Sequence, residues 1–275
     1  METNRSCPEL TKAMRWQIAD WLAEDRLDEI NEKCQEVHVR DTFYVKYIKR
    51  LIDIVISLIA LIITLPINLV IGILTLIDLG RPLFFKQERV GRNGKLFTII
   101  KFRNMRNTTD EKGELLPPEK RVTKLGLIWR KTSLDELLNF WSILKGDMSL
   151  IGPRPLVPEY QHRYNKRHKM RCAVRPGLEC PPRKAMDHMW TWQEQLENDI
   201  WYVENVSFLT DIKMCVYLVR FALDRKSSSA RAGTKRGPFM GYDMQGSAIS
   251  LEDVPEEYIR RGIEFFRSEE DAAVQ

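Results

Sequence analysis

The sequence is poor in the residues that build metal modules and disulfide frameworks. Its 275 residues include five cysteines, Cys7, Cys34, Cys172, Cys180 and Cys215, an odd number with no C-x-x-C pair. Its four histidines, at 38, 162, 168 and 188, show no ligand spacing. These counts argue against a disulfide framework or a zinc module and make a reducing cytoplasm the simpler setting. No cleavable signal peptide is expected, because the first apolar run starts near residue 51. There is no G-x-S-x-G elbow, no G-x-x-x-x-G-K-[ST] loop and no G-x-G-x-x-G, so the common nucleophile and nucleotide signatures are missing. No aromatic-interleaved basic motif of a nucleic-acid module is present either. Internal repeats and long low-complexity tracts are also lacking.

What is present starts with charge. Lys and Arg number 43 against 38 Asp and Glu, a formal balance of +5. A mild positive excess suits an anionic partner, such as phosphate, a lipid headgroup or nucleic acid, and selects none of them.

Residues 54–77 form the longest apolar run. As a straight helix it would measure about 36 Å, against about 30 Å of bilayer hydrocarbon. A single span is the default reading. Pro66 sits mid-segment, where it removes a backbone hydrogen bond, and Asn68 follows it. Lys46, Lys49 and Arg50 precede the run, and Arg81, Lys86, Arg89, Arg92 and Lys95 follow it. Basic residues at both ends suit a hairpin bent at Pro66 with both ends on the cytoplasmic face. From these residues alone, hairpin and span both stand. Asp53 reads either as a solvated helix-start carboxylate or as the partner of a basic residue at the interface.

Residues 6–30 predict a helix opened by a Ser6–Glu9 capping box, with Leu10, Met14, Ile18, Trp21 and Leu22 on one stripe. The acidic opposite face favours packing on the domain over lying on a membrane. Asn93-Gly94 between two strand-like runs predicts a β-hairpin. Residues 107–120 read as a loop. Ser133 and Glu136 form a second S-x-x-E box. It predicts a helix that buries Leu134, Leu137, Leu138, Trp141 and Leu144 and ends at Gly146. Gly152-Pro153-Arg154-Pro155 is a stiff extended segment. Helices are expected at 186–202 and 207–224, the second read as a core helix or an interfacial one. After Arg225 a Ser/Gly-rich linker leads to a short helix near 255–267 with Tyr258, Ile259, Ile263 and Phe266 on one side.

The chemical focus is Asp135-Glu136. Acids in a first helical turn ordinarily complement the macrodipole. The same N-terminus keeps a carboxylate ionised and can bind a phosphate. A carboxylate attacking a phosphoryl group needs both, plus cations to offset repulsion. Arg130, Lys131 and Arg154 are near in sequence, and a divalent ion, magnesium, would bridge carboxylate and phosphates.

Read in order, the residues resemble one family. They are Arg50-x-x-Asp53, the proline-centred apolar run, GRPLFFKQERVGRNGKLFTIIKFRNM, RKTSLDELLNFWSILKGDMSLIGPRPL, VRPG and WYVENVSFLTDIK. Together they resemble the bacterial sugar transferases, the monotopic phosphoglycosyl transferases acting on polyprenyl phosphate, over residues 46–225 or so. The resemblance implies a helix-rich α/β fold with a small β-hairpin and an N-terminal re-entrant membrane helix-break-helix, with Pro66 at the break. The implied organisation is an N-terminal helical extension over 1–44, the re-entrant segment over 45–80, the catalytic domain over 81–225 and a linker with C-terminal extension over 226–275. It implies Asp135 as nucleophile, Glu136 as partner acid, and both as magnesium ligands. Arg130, Arg154, Arg175, Lys101 and Arg103 are implied as substrate-binding residues. A UDP-sugar donor, a polyprenyl (undecaprenyl) phosphate acceptor and membrane lipid are the implied partners, with no nucleic acid. A homo-oligomer or downstream glycosyltransferases are further candidate partners. The implied location is the cytoplasmic face of the inner membrane. One departure stands out: residues 178–184 read LECPPRK, where family members carry a Trp-Ala-Gln element. A catalytically silent, membrane-anchored scaffold is the alternative reading that this loop supports.

Overall fold

Thr11 opens the first helix: its hydroxyl accepts from the Met14 N–H at 3.2 Å, and α1 runs Lys12–Lys33. The Ser6–Glu9 box lies outside the described residues, which are 10–110, 115–183, 188, 190–223 and 237–274 in this computed structural model. Of the expected apolar stripe Ile18, Trp21 and Leu22 are buried and Leu10 and Met14 partly buried, and it packs on the domain as the acidic outer face suggested.

A π-helical turn (Tyr44–Ile48) leads into α2 (Lys49–Leu79), one helical element with Pro66 inside it. Its burial is confined to the ends: Asp53 and Ser57 on one side, Ile71, Gly72 and Thr75 on the other. Every position from 58 to 70 is open to some degree, with Ile62, Ile63, Leu65 and Leu69 exposed. Near its start the Arg50 guanidinium donates to the Ile143 and Leu144 carbonyls at 2.6 and 2.8 Å. Asp53 is neither solvated nor ion-paired with Arg50, but buried, with Oδ1 accepting from Ser149 Oγ and Leu150 N. Lys49 is likewise committed inward, to Asp211 at 2.7 Å. The basic flanks of the apolar run are thus partly internal fixtures.

The predicted hairpin is present. β1 (Phe84–Val90) and β2 (Leu96–Phe102) pair antiparallel, with Val90 opposite Leu96. Asn93 and Gly94 both take positive φ, 55° and 75°, as such a turn demands. A short helix, α3 (Pro118–Arg121), interrupts the expected loop, and α4 (Lys124–Thr132) follows, capped by Thr123. The chain then differs from expectation. Ser133 precedes the Leu134–Glu136 turn without the expected side-chain cap. It has φ 57°, closes α4 through its N–H to the Trp129 carbonyl, and caps nothing with its side chain. A 3-10 turn (Leu134–Glu136) and then α5 (Asn139–Lys145) replace the single helix, which does end at Gly146 with φ 100°. Leu134, Leu137 and Leu138 pack with Ile71, Phe102 and Trp129, whereas Trp141 is half exposed.

Two strands, β3 (Ser149–Ile151) and β4 (Gly177–Glu179), pair parallel. Gly152 and Gly177 meet so closely that a Cβ on either would strike the other's backbone. Between the strands lie a 3-10 stretch (Pro158–Arg163) and α6 (Lys166–Lys169). Then come α7 (Trp192–Asn205), opened by a Thr191–Glu194 capping box, and α8 (Phe208–Leu223). α8 buries Met214 in a core cluster with Tyr217 and Leu218, while Phe208, Leu209, Ile212, Val216 and Val219 are exposed, an outer face that suits the interfacial alternative. The Ser/Gly-rich linker lies outside the described residues. The chain ends in a small hairpin of β5 (Gly241–Tyr242) and β6 (Ala248–Ile249) and in α9 (Glu256–Val274), longer than expected, with Tyr258 buried on α1. The described residues form a helix-rich α/β protein with three two-stranded sheets.

Candidate active site

Backbone turns and partly buried leucines aim the dyad. Ser133 reverses the chain in the left-handed region, and Leu134, Leu137 and Leu138 are drawn into the cluster beneath α2. Asp135 and Glu136 are left to face the end of the β-hairpin. Gly126 lets that end come close: a methyl group there would collide with the Asn104 carbonyl. Asn104 then donates from Nδ2 to Asp135 Oδ2 at 2.7 Å.

Glu136 is held by two cations. Lys101, on β2, reaches Oε1 at 2.5 Å, and Arg154 Nη2 reaches the same oxygen at 3.0 Å. The other nitrogen of Arg154, Nη1, meets Glu179 Oε2 at 3.0 Å. The stiff Gly152–Pro155 segment is fixed from behind, because Arg171 donates from Nη2 to the Arg154 carbonyl at 2.7 Å while paired with buried Asp199. Arg89 joins the same cleft and donates to the Pro155 carbonyl.

The two acids are driven apart electrostatically. Burial, followed by the neighbouring Glu136 charge, pushes the Asp135 carboxyl above the ordinary range, against the pull of Lys101. Burial also acts to raise Glu136, but Arg154 and Lys101 outweigh it and hold that carboxyl below its ordinary value. Two carboxylates with opposite displacements are the usual sign of divided roles in one site.

The structure brings together Asp135, Glu136, Lys101 and Arg154. Arg130 is exposed on the last turn of α4, outside this network. Arg103 is spent on the end of α2, donating to the Leu79 and Gly80 carbonyls. Arg175 donates from Nε to the Gly146 carbonyl at 3.0 Å, and burial together with nearby Arg92 and Arg50 lowers its pKa. Sequence reasoning missed Asn104, Glu179 and Arg89. Asn104 directly follows Arg103 in KFRNM and Glu179 lies in the departing 178–184 stretch, so both motifs held a signal; Arg89 had none beyond its charge.

A divalent ion fits this donor set. Magnesium uses one or two carboxylates and leaves its other positions to water and substrate phosphates. Asp135 and Glu136 offer such a pair, and no cage of three or more acidic, histidine or cysteine groups exists among the described residues.

The bacterial sugar transferase family matches residues 44–225, and the chain belongs to that family. It is 41 % identical over 176 residues to the uncharacterized sugar transferase EpsL of Bacillus subtilis, covering 64 % of this chain and 87 % of that one. It is 33 % identical over 207 residues to the undecaprenyl-phosphate galactose phosphotransferase of Salmonella typhimurium, covering 66 % and 41 %. A further relative, the UDP-glucose:undecaprenyl-phosphate glucose-1-phosphate transferase of Klebsiella pneumoniae, is 33 % identical over 183 residues, covering 63 % and 39 %. The chain thus spans less than half the length of these two larger relatives.

Proposed function

We propose that this protein transfers a sugar-1-phosphate from a UDP-sugar to a polyprenyl phosphate through a covalent aspartyl intermediate, the first step of a glycan assembly. The observation that carries the reading is the buried Asp135 beside a Glu136 pinned by Lys101 and Arg154. Asp135 attacks the β-phosphorus of the donor, the phosphoanhydride bond breaks, and UMP leaves with the electron pair. The acceptor phosphate oxygen then attacks the same phosphorus and releases the Asp135 carboxylate, giving a polyprenyl diphosphate sugar. Splitting the transfer in this way predicts ping-pong kinetics.

The roles of the chain's residues follow from charge. Asn104 orients Asp135. Lys101 favours its ionised form. Arg154, two-fifths exposed, can exchange a carboxylate for an incoming phosphate. Asp135 and Glu136 would hold magnesium, which when bound offsets the phosphates' negative charge.

Membrane seating is part of the proposal. Arg50 meets the far end of α5, while Ile71 packs beside Leu137 and Leu138 at its near end. A straight helix separates Arg50 from Ile71 by about 31 Å, yet α5 offers only about 9 Å between those contacts. This supports a re-entrant bend, with the exposed middle of α2 in lipid and the site at headgroup depth on the cytoplasmic face of the inner membrane. The exposed apolar side of α8 suits the same interface.

The test is UMP release from a panel of UDP-sugars, with magnesium, polyprenyl phosphate and detergent, for the native chain and Asp135→Asn. Release with one donor, abolished in the variant, supports the proposal. Folded protein that releases nothing favours the silent scaffold, for which the neutralisation of Arg154 by Glu136 and Glu179 is the specific argument.

A further inference from the structure

Among the described residues Arg163 is the most deeply buried long charged side chain, 1 % exposed, and its hydrogen-bond partners lie outside the stretch shared with the family. Its Nε donates to Asp20 Oδ1 at 2.9 Å and its Nη2 to the Trp16 carbonyl at 3.2 Å, both on α1. Its Nη1 reaches the Phe239 carbonyl at 3.5 Å, at the start of the C-terminal segment. The guanidinium also lies 4.6 Å over the Trp16 ring. One side chain of the catalytic region therefore ties both terminal extensions to it.

The surroundings repeat the pattern. Phe239, fully buried, stacks on Tyr164 and meets Tyr160 and Trp192 edge-on or tilted. The Phe239 N–H donates to the Tyr160 hydroxyl at 3.2 Å. The Tyr242 hydroxyl accepts from the Asn165 N–H and meets His168 Nδ1, whose other ring nitrogen faces Glu197. The terminal segments also bind each other, since Arg26 of α1 donates to the Tyr242 carbonyl and Tyr258 of α9 donates to Asp25. They form a clasp around residues 160–168.

That stretch lies immediately downstream of Arg154. Pro153 and Pro155 remove backbone freedom on both sides of the arginine. The Val90 N–H donates to the Leu156 carbonyl at 3.0 Å, so the segment is fixed to the hairpin just beyond Pro155. A shift at Tyr160–Tyr164 has little slack to absorb it before Arg154.

We propose that Arg163, held by the terminal clasp, is a positioning residue that sets the Arg154 guanidinium for the donor phosphates. This rests on the reading of Arg154 as a phosphate ligand. A clasp serving only stability would lower activity equally whatever occupies position 154. A positioning clasp loses its effect once Arg154 is already impaired.

The test uses the full chain and the UDP-sugar that supports UMP release, with Asp20→Asn, Arg154→Lys and the double variant. Asp20→Asn should raise the donor KM about tenfold with little change in kcat, since a small displacement at a phosphate ligand is amplified in binding. In the Arg154→Lys background the same change should cost less than about twofold. Amide exchange should quicken over residues 153–163 and stay unchanged over 134–146. Equal losses in both backgrounds would overturn the positioning role while leaving the site reading intact. A native KM in Arg154→Lys would overturn the site reading and the positioning role together. If Asp20→Asn does not fold, Tyr242→Phe, which removes one hydroxyl, carries the same expectations and the same two contrary outcomes.

Discussion

Arg154 and Arg171 each hold carboxylates, yet water reaches the two ion pairs to very different extents. The Arg171 and Asp199 side chains are 3 % and 1 % exposed. Arg154, Glu136 and Glu179 are 40 %, 24 % and 31 % exposed. An exposed pair contributes little to stability, because solvent already screens both charges. A buried pair is costly to break, because the surviving charge stays desolvated. The lesson is a division of labour within one backbone segment. Arg171 holds the Arg154 carbonyl and does not let go; Arg154 holds carboxylates that a phosphate can replace.

The sharpest way to break that comparison is at the closed pair. Asp199→Asn should lower stability by about 3–5 kcal/mol in urea unfolding, because it strands the buried Arg171 charge. A loss under about 1 kcal/mol would put both pairs in the same class. The open pair should behave in the opposite way. Arg154→Ala should change unfolding stability by less than about 1 kcal/mol. It should raise the donor KM by roughly 10–100-fold, measured from initial rates of UMP release.

The smallest effect concerns pH. Burial and Glu136 raise the Asp135 pKa, so the reactive carboxylate is lost as pH falls through a value above the ordinary aspartate range. Activity should drop on the acid side accordingly, and Lys101→Met, removing a charge that favours ionisation, should move that limb to higher pH. The stability sign is the reverse of the usual aspartate case. A raised folded pKa means that the native state takes up the proton more readily, so stability from this group is present at low pH and declines as pH rises through its folded pKa. Asp135→Asn should therefore be at least as stable as the native chain at pH 7, while inactive. A limb that stays in place in Lys101→Met would separate Lys101 from Asp135.

Local signals carried the features that depend on neighbours in sequence. Asn93-Gly94 announced its turn because two positive φ angles are demanded at those two residues. Asp135-Glu136 announced itself through charge and family resemblance. Ser133 misled because an S-x-x-E spacing has the same form whether serine opens a helix or closes one; Trp129 above it and the leucine cluster below it decide. α8 stays open between core and interface in the sequence because apolar residues look alike facing protein or lipid. The pairing of Lys49 with Asp211 and of Arg163 with Asp20 joins residues far apart in the chain, which no local pattern encodes. The family resemblance implied Arg103 and Arg175 as substrate ligands, and their described hydrogen bonds go to backbone carbonyls.

The most direct test of the account omits the acceptor. Incubating the native chain with the active UDP-sugar and magnesium, without polyprenyl phosphate, should release one burst of UMP per site and leave a sugar-phosphate mass on the peptide carrying Asp135. No burst and no adduct, with UMP appearing only when polyprenyl phosphate is added, would mean direct transfer between substrates and would contradict Asp135 as the nucleophile.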